Sequence, residues 1–178
     1  MISVSETEFE LFMEKSFVRS LAKNEIVGQL GMIPNEIFFI NKGLIRVMIN
    51  DHKGVEHTIH FAMENQFISD YTHFMQKQPS IYTLQALENT EVVVLPRATI
   101  DWGYKNLKEG EKMGRLIAEY YFMYQDDRIR NTYLRTPKER YESISSIFPN
   151  IHQRVPQHMI ASYLGISPIH LSRLKKSV

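Results

Sequence analysis

The spacing of apolar residues changes twice along the chain. In residues 3–14 a polar start precedes Phe9, Phe12 and Met13 at helical spacing, which predicts a short N-terminal helix. From about 16 to 98 the apolar runs are short and β-rich, at 37–40, 44–49, 55–61, 82–86 and 92–95. Turn signals separate them: Asn41-Lys42-Gly43, the polar stretch 50–54, and Glu88-Asn89-Thr90. Strands at this spacing predict an antiparallel sandwich or barrel. The loop at 51–54 reads as a hairpin turn with Gly54 left-handed, and 70–75 as a short helical turn. From about 97 to 135 the period becomes helical. Met113, Leu116, Ile117, Tyr120, Tyr121 and Tyr124 fall at three- and four-residue steps, predicting a long amphipathic helix. Its apolar face suits either the chain's own β domain or a twin helix in a homodimer.

Beyond this helix, Thr136 and Pro137 form a helix start, with Glu139 placed to complete a capping box. Tyr141, Ile144, Ile147 and Phe148 supply the apolar face, and Pro149-Asn150 stops the helix. Residues 155–176 then read VPQHMIASYLGISPIHLSRLKK. Pro156 suits a first turn. Met159, Ile160, Tyr163 and Leu164 form an inner face. Gly165 permits the tight turn, and Ala161 lets a second helix cross closely. Ser167 caps the second helix, Pro168 opens it, and Leu171 and Leu174 point inward. This is the pattern of a helix-turn-helix. Its outer face is free to enter a DNA major groove, so the expected contact set is Ser167, Pro168, Ile169, His170, Ser172, Arg173, Lys175 and Lys176. Arg173 can take a guanine edge or a phosphate, Ile169 a thymine methyl, and Lys175 and Lys176 the phosphates.

Charge sharpens this reading. Residues 128–178 hold nine Lys/Arg against two acids, a balance of +7, while the remainder holds 12 basic and 18 acidic residues, or −6. A basic end on an acidic body predicts a polyanion partner for that end. The chain has no cysteine, which excludes disulfides and thiolate metal sites. Residues 1–10 are acidic and lack the pattern of a secretory signal, and no long apolar run predicts a membrane span. A cytoplasmic protein is expected. His57 and His60 lie three apart in a predicted strand and face opposite sides, so no metal site is expected. Trp102 is expected to anchor domains together. No nucleophile motif or acid–base pair predicts an enzyme.

With these residues in view, the chain resembles the Crp/Fnr family of bacterial transcription regulators over nearly its whole length. Residues 34–47 (PNEIFFINKGLIRV) resemble the family's strand–glycine turn–strand entry to its β-roll. The stretch ERYESISSIFP, followed by RVPQHMIASYLGISPIHLSR, resembles the Bacteroidetes-type branch. The resemblance implies an α+β fold in three parts: a cyclic-nucleotide-binding-like antiparallel jelly roll at 1–107, a connecting and dimerisation helix at 108–134, and a helix-turn-helix domain at 135–178. Family members often carry a β-wing, and here its strands would have to lie before Val155.

The family's roll often binds cyclic AMP through a Gly-Glu pair and an Arg followed by a small hydroxyl residue. Here Ser69 and Asp70 replace Gly-Glu, and no arginine lies between Arg46 and Arg97. Lys77 is the one nearby cation. An uncompensated phosphate in such a pocket would be costly. Effector-pocket candidates by position are Ser69, Asp70, Tyr71, Ser80, Ile81 and Tyr82, with Gln125 and Asp126 from the long helix. The expectation is a homodimeric regulator of double-stranded DNA that does not respond to cyclic AMP. It leaves room for another small-molecule effector and admits RNA polymerase as a partner. The competing expectation is a small-molecule-binding roll with a vestigial helix-turn-helix.

Overall fold

A computed structural model describes residues 3–176; Met1, Ile2, Ser177 and Val178, the extreme ends of the first and third expected domains, lie outside the described residues. The chain opens with α1 (Glu6–Met13), β1 (Phe17–Leu21), β2 (Ile26–Gly28), β3 (Glu36–Lys42), β4 (Ile45–Asn50), β5 (Glu56–Ala62) and β6 (Phe67–Ile68). It continues with α2 (Tyr71–Gln76), β7 (Thr83–Ala86), β8 (Thr90–Pro96), α3 (Arg97–Asn106) and α4 (Gly110–Leu134). The C-terminal part is α5 (Pro137–Ile147), α6 (Ile151–Arg154), α7 (Gln157–Leu164) and α8 (Pro168–Lys176).

Alternating apolar positions build two four-stranded antiparallel sheets, ordered β1-β8-β3-β6 and β2-β7-β4-β5. Their inner faces meet through Phe38, Ile40, Ile45, Val47, Leu84, Val92 and Val94. This is the expected β-roll. Strands β1, β2 and β6 were not among the expected runs. They are two to five residues long, and β1 buries only Leu21. Pairing with β8, β7 and β3 makes them strands, and tertiary pairing is invisible to local pattern. The β3–β4 turn needs Gly43. Its φ is +112°, and a Cβ there would lie 2.3 Å from Thr90 Oγ1. Gly54 is left-handed at φ +77°, as expected of the β4–β5 hairpin.

Helix α1 carries a capping box between Ser5 and Glu8. The long helical region is two helices, not one. Leu107 is extended, and Gly110 packs so close to Gly103 that a Cβ would lie 2.2 Å from its carbonyl oxygen. The Trp102 ring lies in α3 with Lys15 Nζ 4.8 Å above it. No helix among the described residues is long and apolar enough to cross a membrane.

The capping box at Thr136 and Glu139 starts α5 as the sequence predicts. Ile144 and Phe148 are fully buried, whereas Ile147 is turned outward. The segment before Val155 is helical, which corrects the expectation of wing strands there. Asn150 is left-handed, and Ile151 and Val155, four apart, both enter the core. That is a helical period with one buried face.

Candidate nucleic-acid interface and ligand cassette

The helix-turn-helix forms as its residues require. Gly165 ends α7 in the left-handed region at φ 68°, and the Ile166 amide donates to the Ala161 carbonyl oxygen at 3.0 Å. Ser167 Oγ accepts from the His170 amide at 3.2 Å and caps α8. Ala161 is fully buried at the crossing, and Leu171 is buried against the core that contains Ile160 and Leu164. Burying Leu171 contributes on the order of 2 kcal/mol to holding α8 in place. The opposite face is open. Ser167, Pro168, Ile169, His170, Ser172, Arg173, Lys175 and Lys176 are all exposed, with Ile169 at 67%. Arg173, Lys175 and Lys176 make no ion pair among the described residues. His152 lies behind this face. Partial burial and, to a lesser degree, the nearby Lys175 charge lower its pKa.

At the roll's cassette the structure brings together three of the named candidates, Asp70, Ser80 and Tyr82, and separates the others. Asp70 caps α2, accepting from the His73 amide at 3.3 Å. Ser80 Oγ donates to Asp70 Oδ2 at 2.6 Å, and His73 Nδ1 lies 2.7 Å from the same oxygen. The Tyr82 amide donates to Ser80 Oγ at 3.0 Å, and the Tyr82 ring meets His73 edge to face. Ser69 Oγ turns away to donate to the Glu36 carbonyl oxygen. Tyr71 stacks on Phe74 at the surface, and Ile81 is exposed. Gln125 and Asp126 are exposed on α4, and Asp126 pairs with Arg130 at 2.9 Å. Lys77, the nearest cation in sequence, is exposed in a left-handed cap. Arg97 reaches the cassette's flank, donating to the Phe74 carbonyl oxygen with its guanidinium 3.8 Å from the Phe74 ring centre.

Helix α4 uses one face on its own chain. Tyr121 donates to the Phe67 carbonyl oxygen at 2.7 Å and accepts from the Phe67 amide at 2.9 Å. Burial pushes its pKa up to about 12. Tyr124 Oη lies 3.3 Å from His60 Nδ1 and 3.4 Å from Tyr163 Oη, and burial raises its pKa as well. His60 is buried, and burial, with a lesser push from Arg128, lowers its pKa to about 3. His57, by contrast, is at the surface beside Asp51. The two histidines therefore diverge, as strand geometry requires, and no group of three or more metal-ligating side chains occurs among the described residues. On its other sides α4 leaves Tyr120, Phe122, Met123 and Tyr133 exposed.

His73 and Arg154 were not singled out by sequence reasoning. His73 lies three residues after Asp70, at the spacing of helical neighbours, and that was the available signal. Arg154 was counted with the basic tail, and the structure pairs it with Glu64 and Glu88 of the roll.

The architecture is that of a ligand-binding-type β-roll joined by a long helix to a helix-turn-helix. Residues 18–105 match the family model of the cyclic nucleotide-binding domain. Among solved structures, the chain is similar to FixK2 from Bradyrhizobium japonicum, with 13% identity, a TM-score of 0.74, and coverage of 91% of this chain and 83% of that one. A protein from Eubacterium rectale, assigned to the Crp/Fnr family of transcriptional regulators, matches with 15% identity and a TM-score of 0.74, covering 98% and 83%. The c-di-GMP-responsive global regulator CLP of Xanthomonas campestris matches with 11% identity and a TM-score of 0.68, covering 97% and 91%. No curated protein matches the chain in sequence.

Proposed function

We propose that this chain is a DNA-binding transcription regulator of the Crp/Fnr type that acts as a homodimer and does not respond to cyclic AMP. The observation that carries the reading is the α8 face. Its anchor Leu171 is buried, while Pro168, Ile169, His170, Ser172, Arg173, Lys175 and Lys176 stand clear of the body. A helix held this way can enter a major groove, with Ile169, His170 and Arg173 reading base edges and the lysines taking phosphates. The fold shared with FixK2 and the Eubacterium rectale protein supports the regulator role.

The cassette supports the second half of the reading. Asp70, Ser80 and His73 satisfy one another, and the Asp70 carboxylate at their centre disfavours an anionic ligand there. On this reading the cassette is degenerate with respect to cyclic AMP. CLP's response to c-di-GMP shows that a related fold serves another ligand, and the same opening is left here for a small-molecule effector. The uncovered apolar residues of α4 supply the dimer seam, and the α8 pair would then meet successive major grooves.

The test is selection of duplexes from a random pool by the purified protein. The reading predicts an inverted repeat with half-site centres about 10 base pairs apart, or a multiple of that. Replacing Ile169, His170 and Arg173 together by Ala should abolish the enrichment while leaving the far-ultraviolet circular dichroism spectrum unchanged. A pool that stays random after selection would remove the proposal.

A further inference from the structure

The seam between the roll and the helix-turn-helix is built unlike a flexible tether. Arg154, the last residue of α6, makes a fork to two carboxylates of the roll. Its Nη1 and Nη2 donate to Glu64 at 3.0 and 2.8 Å, and its Nε and Nη2 donate to Glu88 at 3.2 and 2.6 Å. Glu64 lies in the β5–β6 turn and Glu88 in the β7–β8 turn, and Glu64 also accepts from the Gly43 amide of the β3–β4 turn at 2.8 Å. Two turns at one end of the roll therefore converge on a single guanidinium from the helical end, and a third braces one of its partners. The pairing is bidentate on both sides, the arrangement in which an arginine holds direction as well as position. It also acts on Glu64, which the Arg154 hydrogen bonds, followed by the Gly43 amide, hold down to a pKa of about 2.

Two independent contacts lie on the same seam. Strand β5 is the edge of its sheet, and the Thr58 amide on it donates to Ser162 Oγ of α7 at 2.9 Å. An edge strand's unpaired amide is thus satisfied by the first helix of the helix-turn-helix. Beneath both contacts the apolar core runs without a break from Leu44, Phe61, Met63 and Leu87 of the roll into Phe148, Ile151, Val155, Ile160 and Leu164.

We propose that Arg154 is a positioning residue: by holding Glu64 and Glu88 it latches the helix-turn-helix to the roll and fixes the direction in which α8 presents its reading face. This rests on the reading of α8 as a DNA-binding element. Two recognition helices must fit two half-sites at once, so freedom at either latch costs orientation entropy on binding. The latch also gives the roll a route to α8, through its turns and β5 into α6 and α7. Arg154 does not serve as one of the phosphate contacts of the basic end.

The test compares wild type with Arg154→Met and with the paired variant Glu64→Gln/Glu88→Gln, which keeps side-chain volume and leaves Arg154 in place. Three quantities are read: affinity for a duplex that the wild type selects from a random pool, the salt dependence of that affinity, and amide hydrogen exchange across the chain. The latch predicts that both variants lose affinity for the selected duplex by on the order of tenfold. It predicts an unchanged salt slope, and faster exchange in α6, α7 and α8 while the β3–β8 amides keep their protection. The glutamate arm is decisive because removing two negative charges would otherwise tighten binding to a polyanion. A salt slope shallower by about one in Arg154→Met, with unchanged or tighter binding in the glutamate variant, would make Arg154 a phosphate contact and overturn the proposal. Unchanged exchange in both variants would overturn it too. If the wild type selects no duplex, the DNA-binding reading fails, and the exchange measurement alone then decides the latch.

Discussion

Asp70 has a side chain only 3% exposed, and its neighbours Ser80 and His73 are arranged to donate to it. Replacing it with Ala removes the α2 cap and strands Ser80 and His73. The expected cost is about 2 kcal/mol in urea denaturation, and the variant should still show no binding of cyclic AMP by calorimetry. Two other groups, buried His60 and the partly exposed Glu64, set the acid limit. His60 has its pKa lowered from 6.5 to about 3 by burial. The folded state therefore keeps it neutral while the unfolded state takes up a proton, and stability falls as pH drops from about 6.5 toward 3. Glu64 has its pKa lowered to about 2, so its contribution is present above the ordinary carboxylate value and is lost as pH falls through 4.5 toward 2. Both act in one direction, in overlapping windows. His60→Phe should flatten the upper part of the acid limb in a series of thermal melts between pH 7 and 4.5. An unchanged limb would show that His60 titrates freely. The Asp70 and Ser80 positions were legible in the sequence through their place in the cassette pattern. Their mutual hydrogen bond was not, because ten residues and a helix separate them. Arg154 was legible only as charge; its partners are 90 and 66 residues away.

Elements whose ends are marked by local chemistry were the legible ones. Both capping boxes, the Gly165 turn, the Gly54 hairpin and the α2 turn capped by Asp70 follow from side-chain hydrogen bonds or left-handed backbone that nearby residues dictate. The elements that sequence reasoning missed depend on distant partners. β6 is two residues long and exists because Phe67 and Ile68 meet Phe39 and Phe38. The break between α3 and α4 depends on Gly103 and Gly110 approaching backbone to backbone. The β3–β4 turn is the element most intolerant of change. Gly43→Ala must relieve both a positive φ and a clash with Thr90, and this turn also supplies the amide that holds Glu64. The expected loss is about 3 kcal/mol by chemical denaturation, with the largest increase in hydrogen exchange around 42–44 and 88–90. A loss below about 0.5 kcal/mol would mean that the turn can be rebuilt without glycine.

Over the whole molecule, α4 uses only part of its apolar surface on its own chain. One side packs on its own roll through Tyr121 and Tyr124. The rest leaves Tyr120, Phe122 and Met123 in solvent, with Phe122 at 74% exposure. Exposed apolar side chains along one helix are the kind of surface at which association occurs. Tyr120→Glu/Met123→Glu should convert a sedimenting dimer to a monomer while the roll retains its protection. A dimer that survives would place the seam elsewhere. Charge divides along the same long axis of function, +7 in residues 128–178 against −6 in the remainder. The central claim is that α8 and the basic residues around it hold a nucleic-acid duplex. The most direct measurement is fluorescence anisotropy of a labelled random-sequence duplex, about 30 base pairs long, titrated with protein as salt rises from about 50 to 200 mM. The account predicts binding at the low end and a linear fall of log affinity against log salt. It also predicts that Lys175→Ala/Lys176→Ala makes the slope shallower by about two. No binding at low salt, or an affinity indifferent to salt, would contradict it.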